Sequence, residues 1–161
     1  MKDHLDHIIT QWRKERPDLD PAPMGVFGRV FYLSRVLEQR LEKVFKKYDL
    51  STWAFDVLVA LRRGGEPFRQ SPTSLFSSLL LSSGAMTNRI DRLEQAGLVK
   101  RVPDPDDRRG VLVQLTPKGM KLIDSVMPEH LENEDFILRN LPPADRKQLT
   151  DLLRKLILSL S

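Results

Sequence analysis

The chain has 161 residues, of which 40% are hydrophobic and 30% charged, enough to bury the core of one domain. It contains no cysteine, which excludes disulfides, zinc ribbons and sensing through thiols. Its net charge of +4 favours an anionic partner. No apolar run is long enough to span a bilayer and the N-terminus lacks an apolar signal core, so we expect a cytoplasmic protein.

The first predicted helix covers residues 2–15 and ends before Pro17. Its apolar stripe recurs at helical spacing and consists of Leu5, Ile8, Ile9 and Trp12. The proline-rich segment 16–23 is interpreted as an ordered connector. We therefore expect an additional N-terminal helix whose apolar stripe packs against the rest of the domain.

Two more helices are predicted at residues 24–48 and 52–63, the second ending at Gly64. Asp56 is unusual because its neighbours on this helix are nearly all apolar. Such a carboxylate must reach water, be neutralised or be paired. It is interpreted either as a partly exposed or stabilising residue, or as a buried partner of an arginine at a ligand site.

The stretch from Ser71 to Gly119 organises the chain. Ser71 and Pro72 predict the start of one short helix, and a second is predicted at residues 83–96, with Ser83 as N-cap and Gly97 as the stop. Small and polar side chains on its outer face suit close approach to base edges in a major groove. The predicted DNA contacts of this reading helix and its start are Ser82, Ser83, Gly84, Ala85, Thr87, Asn88 and Arg92.

A β-hairpin is predicted next, from runs at residues 98–102 and 111–115 with turn formers between them. Arg108 and Arg109 at its tip could reach phosphates or a minor groove. We expect Asp107 to orient the wing by holding the guanidinium of Arg109 in a bidentate pair. The alternative is a solvated loop, which the preceding helix-turn-helix disfavours.

Thr116 and Pro117 predict the cap and start of a helix that reaches about residue 130 and bends or tolerates Pro128. A helical segment continues to about residue 140. The last helix, at residues 143–160, has a continuous apolar stripe and needs a partner surface. With residues 24–48 it is predicted to form the seam of a dimer.

The segment SSGAMTNRIDRLEQAGLVKRVPDPDDRRGVLVQLTPKG, which begins at Ser82, resembles the core of the MarR family of winged-helix transcription regulators. The resemblance implies a mainly α fold with a small β wing, a winged helix-turn-helix made dimeric by N- and C-terminal helices, and binding to a pseudo-palindromic operator. We expect one domain over residues 1–161, in which 1–16 form the extra helix, 24–48 and 117–161 the dimerisation helices, and 50–116 the winged helix-turn-helix.

Arg89 borders the core stripe of the reading helix, and Arg101 lies in the first strand of the hairpin. Two arginines near Asp56 would recognise a small anion, although surface contact with phosphates is the alternative for both. The chain also resembles a urate-responsive branch of the MarR family. Some similar members respond instead to aconitate, citrate or isocitrate. That resemblance implies an effector site lined by Trp12, Asp56, Arg89 and Arg101. Our hypothesis for its mechanism is that Arg89 pairs with Asp56 until an anion bridges the two arginines.

Two other classes of function compete with this interpretation. A winged-helix module that binds another protein would lack an operator of its own. An enzyme is disfavoured because the sequence has no phosphate-cradling glycine loop and no acid–base constellation. His4 and His7 share a helix face, but no third metal ligand is apparent. No catalytic residue, metal or cofactor is therefore predicted, and no association with a membrane. The expected partners are duplex DNA, a second copy of the chain and a small organic anion such as urate, citrate or aconitate.

Overall fold

The computed structural model describes residues 2–79 and 83–160, with residue 78 and residues 83–86 described by their backbone only. Seven helices and three short strands are assigned in these ranges. In chain order they are α1 His4–Glu15, α2 Ala22–Lys46, α3 Thr52–Arg63, β1 Arg69–Gln70, α4 Pro72–Leu79, α5 Ser83–Gln95, β2 Val99–Pro103, β3 Val111–Leu115, α6 Pro117–Ile137 and α7 Pro143–Leu158. The predicted class, mainly α with a small β wing, is confirmed.

Contacts divide the chain into two compact units, the first of which extends to Lys43 and holds α1 and most of α2. Asp3 caps α1 in a reciprocal capping box with Asp6. The guanidinium of Arg29 on α2 bonds to both carboxylates, at 2.8 Å from each. A Cβ at residue 28 would lie 2.5 Å from Cδ1 of Leu5, so the glycine found there lets the two helices approach closely.

The second unit, from Val44 onward, contains the winged helix. Its sheet has the strand order β1-β3-β2, and both pairs are antiparallel. The helices α3, α5 and α6 turn their apolar sides to one core beside β3. The largest fully buried side chains of this core include Leu58, Leu61, Leu75, Ile90, Val113, Ile123 and Val126.

Capping residues fix where these helices start and stop. The Ser71 hydroxyl accepts from the Ser74 N–H at 3.1 Å, and Thr116 accepts from the Gly119 N–H at 3.0 Å, so both predicted caps are confirmed. Gly97, at φ 69°, follows α5 in the left-handed conformation that ends a helix. The helix itself begins at Ser83, so Ser83 is its first helical residue and the prediction that it is the N-cap is wrong.

Two elements differ from the sequence-based expectation. The strand β1 was not predicted, because two residues are too few to display the alternation that identifies a strand. The helix α6 continues through Pro128 to Ile137 as one element. Pro128 is exposed, and so is Asp124, the residue whose carbonyl loses its N–H partner.

Each unit carries an exposed apolar helix face. In the first unit, Phe27, Phe31 and Tyr32 of α2 are exposed. In the second, no residue of α7 is buried, and Leu152, Ile157 and others lie open. Exposed apolar faces of this extent are typical of interaction surfaces. In the described ranges, no helix combines the length and apolar character that crossing a bilayer would require.

Candidate nucleic-acid interface and ligand site

The helix α5 separates a buried side from an exposed side, as its sequence predicts. Ile90 and Leu93 are buried in the core, whereas Thr87, Asn88 and Arg92 are exposed. These three side chains can donate or accept hydrogen bonds at base edges or phosphates. Of the other predicted contacts, Ser83, Gly84 and Ala85 lie in the first turn of α5 by their backbone, and Ser82 lies outside the described residues.

The wing is the hairpin of β2 and β3, and its tip carries two exposed arginines, Arg108 and Arg109. The carboxylate of Asp107 accepts from the backbone N–H of Arg109 at 2.9 Å. The tip is closed by the Gly110 N–H, which donates to the Asp107 carbonyl at 2.8 Å. Asp107 thus shapes the turn through the backbone, in place of the predicted pair with the Arg109 guanidinium. No partner of that guanidinium is found among the described residues.

Arg101 joins the wing to the reading helix. Its backbone N–H donates to Oε1 of Glu94 at 2.9 Å, its Nη2 donates to Oδ1 of Asp91 at 2.5 Å, and its Nη1 donates to the second Glu94 oxygen. These hydrogen bonds raise the pKa of Arg101, the bond to Asp91 most. We call Arg101, Asp91 and Glu94 the wing clasp. Arg101 thus forms two ion pairs with carboxylates of α5. Its predicted approach to Arg89 stays a prediction.

Arg89 lies half-buried on α5, at the border of the core. Its Nη1 is buried and has no hydrogen-bond partner among the described residues. The guanidinium carbon lies 5.7 Å from the centre of the Trp53 ring, a cation–π contact. A cation held against an aromatic ring with an unsatisfied donor is prepared to bind an anion.

Asp56 lies half-buried on α3, the helix that contacts both α5 and α6. Burial raises the pKa of its carboxyl, and the charges of His130, Arg89 and Arg63 act in the opposite direction without cancelling the rise. No hydrogen bond or ion pair between Asp56 and Arg89 is found in the part of the chain that the structure describes. The predicted direct pair is therefore an attraction through space.

His130 is a polar residue of this site that sequence reasoning missed. It is only 8% exposed, on α6, and its ring stacks on Phe45 and tilts against Phe55, with centroids 5.4 and 4.6 Å away. Its Nε2 lies 3.2 Å from Oε1 of Glu134, and its buried Nδ1 has no hydrogen-bond partner within the described ranges. We call Asp56, Arg89 and His130, with Trp53 beside them, the buried polar cluster.

Trp12, the fourth predicted effector residue, lies on α1 in the first unit and is 44% exposed. Its predicted place beside the residues of the second unit stays a prediction. The partners of Arg101 were also missed, although a signal was available. Asp91 and Glu94 are three residues apart and share a helix face, and a basic residue follows them at the start of the adjoining strand.

Comparison with known proteins agrees with this architecture. Residues 48–110 match a model of the MarR family. The transcriptional regulator PecS of Dickeya dadantii is 44% identical over 149 residues, which cover 92% of this chain and 90% of PecS. Among solved structures, AbsC of Streptomyces coelicolor superposes with a TM-score of 0.80 at 26% identity, covering 88% of this chain and 96% of AbsC. A mutant MarR from Escherichia coli, complexed with operator DNA, gives a TM-score of 0.73 at 26% identity and covers 96% of this chain and 99% of that one.

These relatives are transcriptional regulators and not enzymes. The helix-turn-helix, the wing and the sequence match all point to the same conclusion. The chain therefore belongs to the MarR family of winged-helix transcriptional regulators.

Proposed function

We propose that the protein is a homodimeric repressor that a small organic anion, either urate or a tricarboxylate such as citrate or aconitate, releases from a pseudo-palindromic operator. The exposed face of α5 and the two wing arginines support the first half of this proposal. So does the likeness to a MarR structure that contains operator DNA. The proposed DNA contacts are those of the reading helix together with Arg108 and Arg109.

The exposed apolar faces of α2 and α7 support the dimer. No residue of α7 is buried in its own chain, so its exposed apolar stripe favours association with a second copy. A two-fold pair would present two reading helices to successive major grooves, about 34–36 Å apart.

The proposed response to an effector is carried by one observation: Nη1 of Arg89 is buried and unsatisfied among the described residues, and its charge acts on the half-buried Asp56. A buried donor without a partner costs free energy, and an anion that accepts from it would recover that cost. An anion bound to Arg89 would also compete with Asp56 for the same positive charge. Because Arg89 belongs to the reading helix, the competition would displace the element that reads DNA.

The wing clasp supports a coupled movement of helix and wing. Asp91 and Glu94 lie on α5 and hold Arg101 on β2, so a shift of α5 would carry the wing with it. Arg101 itself could contact the effector only by exchanging one of these carboxylates for the anion. Trp12 is proposed as a further contact on the strength of the sequence alone.

Binding to a fluorescent duplex from the region upstream of the protein's own gene tests the proposal. We expect affinity to fall steeply between about 50 and 200 mM salt, as phosphate contacts require. Urate, citrate or trans-aconitate should then weaken binding by about 5–150-fold, an ordinary allosteric coupling. Absent or salt-independent binding would contradict the proposal and favour a winged-helix module that binds another protein.

A further inference from the structure

The helix α7 has little to pack against in its own chain. None of its residues is buried, and no extensive contact between α7 and another element is found among the described residues. Its apolar side chains, such as Leu152, Leu153 and Ile157, are exposed. A helix of 16 residues is only marginally stable in water by itself. The direction of α7 therefore depends on the turn that joins it to α6.

One side chain spans that turn. Arg146, near the start of α7, donates from Nε to the carbonyl of Leu141 at 2.8 Å and from Nη2 to the carbonyl of Leu138 at 2.9 Å. Its Nη1 donates to Oδ1 of Asp135, in the last turn of α6, at 2.5 Å. A single guanidinium thus bonds to the end of α6 and to the turn after it. We call Arg146 and these three acceptors the α6–α7 clasp.

The charge of Arg146 suits α6 better than the helix to which it belongs. A cation is unfavourable near the N-terminus of a helix and favourable near a C-terminus, where the last carbonyl groups lack partners within the helix. Leu138, which accepts from Arg146, is the C-cap residue of α6. The N-cap residue of α7, Pro142, has no side-chain hydrogen bond. The clasp therefore stabilises the junction of the two helices and not the start of α7 alone.

We propose that Arg146 is a positioning residue of the dimer, which fixes α7 in the orientation in which its apolar stripe meets a second copy of the chain. This inference rests on the proposed homodimer. Holding a helix in its bound orientation before association lowers the entropy that binding must cost. Because the dimer contains two copies of the chain, it contains two clasps, and losing both should weaken it more than losing one.

The dissociation constant of the full-length dimer, measured by sedimentation equilibrium, tests the inference. Arg146→Ala should raise this constant by about 10–100-fold, because each dimer loses two clasps. Arg154→Ala is the matched control. It also removes one positive charge from α7, but the partner of Arg154 is Asp151 on the same helix, 2.6 Å away. Its dissociation constant should stay within about threefold of the wild type, as is typical for an exposed ion pair.

Two further variants separate bridging of the turn from a simple effect of charge. Arg146→Lys keeps the charge and can still pair with Asp135, but one ammonium group cannot replace the fork that reaches both carbonyls. It should lose most of the affinity that Arg146→Ala loses. Asp135→Asn removes the ion pair and leaves both carbonyl bonds in place, so it should lose the least. The reverse order would show that charge alone matters and would overturn the bridging role.

The orientation of α7 can also be measured directly, because the chain contains no cysteine. A spin label at Lys155→Cys, an exposed position of α7, reports the distance between the two copies by double electron–electron resonance. At concentrations where every variant is dimeric, the distribution of distances should be narrow for the wild type and for Arg154→Ala, and broader for Arg146→Ala. A general loss of stability would not broaden a distribution measured on folded dimers.

The outcomes distinguish this inference from the function on which it rests. If the wild type is monomeric at micromolar concentration, the proposed homodimer fails and the inference with it. If the wild type is dimeric and Arg146→Ala matches Arg154→Ala in dissociation constant, only the role of Arg146 is overturned. A raised dissociation constant with a distribution as narrow as that of the wild type would likewise overturn positioning by Arg146.

Discussion

Arg101 and Arg89 lie on adjoining elements of one winged helix, and their surroundings are opposite in kind. Arg101 is partly exposed and bonded to two carboxylates. Arg89 has a buried, unsatisfied nitrogen and a carboxylate that acts on it only through space. The wing clasp therefore has its hydrogen bonds within the protein, whereas two nitrogens of the buried polar cluster, Nη1 of Arg89 and Nδ1 of His130, have no hydrogen-bond partner among the described residues.

This difference in hydrogen bonding suits Arg101 to connecting two elements and Arg89 to binding a ligand. Exposed ion pairs contribute little to stability, typically 0–1 kcal/mol, but they fix the geometry of the elements they join. An unsatisfied buried group is destabilising, and stability lost at such a place is characteristic of sites that recognise ligands. This difference supports the proposal that Arg101 transmits the movement and Arg89 recognises the anion.

Arg89→Ala is expected to produce the largest effect. Removing the guanidinium of the buried polar cluster should lower effector affinity by at least about 100-fold, while affinity for DNA without effector falls by a smaller factor because the attraction to Asp56 is lost. Arg92→Ala, on the exposed face of the same helix, is the matched control and should show the reverse pattern. Calorimetry with urate and citrate and anisotropy with duplex DNA measure the two affinities. Loss of both functions in both variants would remove the distinction between the two faces.

Replacing Arg108 and Arg109 together by alanine should weaken DNA binding by about 10–100-fold and reduce the salt slope by about 2, because both guanidinium groups lie exposed at the wing tip. Effector affinity should not change. Arg139→Ala, which also removes one positive charge from the second unit, should alter the slope little. An unchanged slope in the double variant would exclude the wing tip from phosphate contact.

The sequence predicted the helices well because apolar periodicity and capping residues are local signals. Ser71, Thr116 and Gly97 mark boundaries through bonds to residues at most a few positions away. The wing clasp and the buried polar cluster depend on contacts across elements, which periodicity does not encode. His130 was missed for this reason: a single histidine on an amphipathic helix gives no sign of Asp56 until the fold brings α3 and α6 together.

Arg101→Gln should have a smaller effect, about 3–10-fold weaker DNA binding at low salt, because the wing is no longer held to α5. The loss should shrink as salt rises, since the pairs are partly exposed. The double exchange of Arg101→Glu with Glu94→Arg should recover most of the affinity. If Arg101→Gln instead lowers effector affinity and leaves DNA binding unchanged, Arg101 is a ligand of the anion and not a connector.

Asp56→Asn is expected to give the smallest effect, a rise in Tm of about 1–3 °C at pH 7. The pKa of Asp56 is raised by burial, so its ionised form is less stable in the folded state than in the unfolded chain. This cost is absent at low pH, where the carboxyl is protonated in both states, and grows as pH rises through the raised pKa. The difference in Tm between Asp56→Asn and the wild type should therefore diminish as pH is lowered. If the variant is instead less stable than the wild type at pH 7, Asp56 has a stabilising partner.

The most direct test of the account is effector-driven release of duplex DNA by the wild type and by Arg89→Ala, followed by anisotropy in one experiment. The account predicts that both proteins bind the duplex and that urate or citrate releases only the wild type. Equal release of both proteins would contradict the assignment of effector recognition to Arg89.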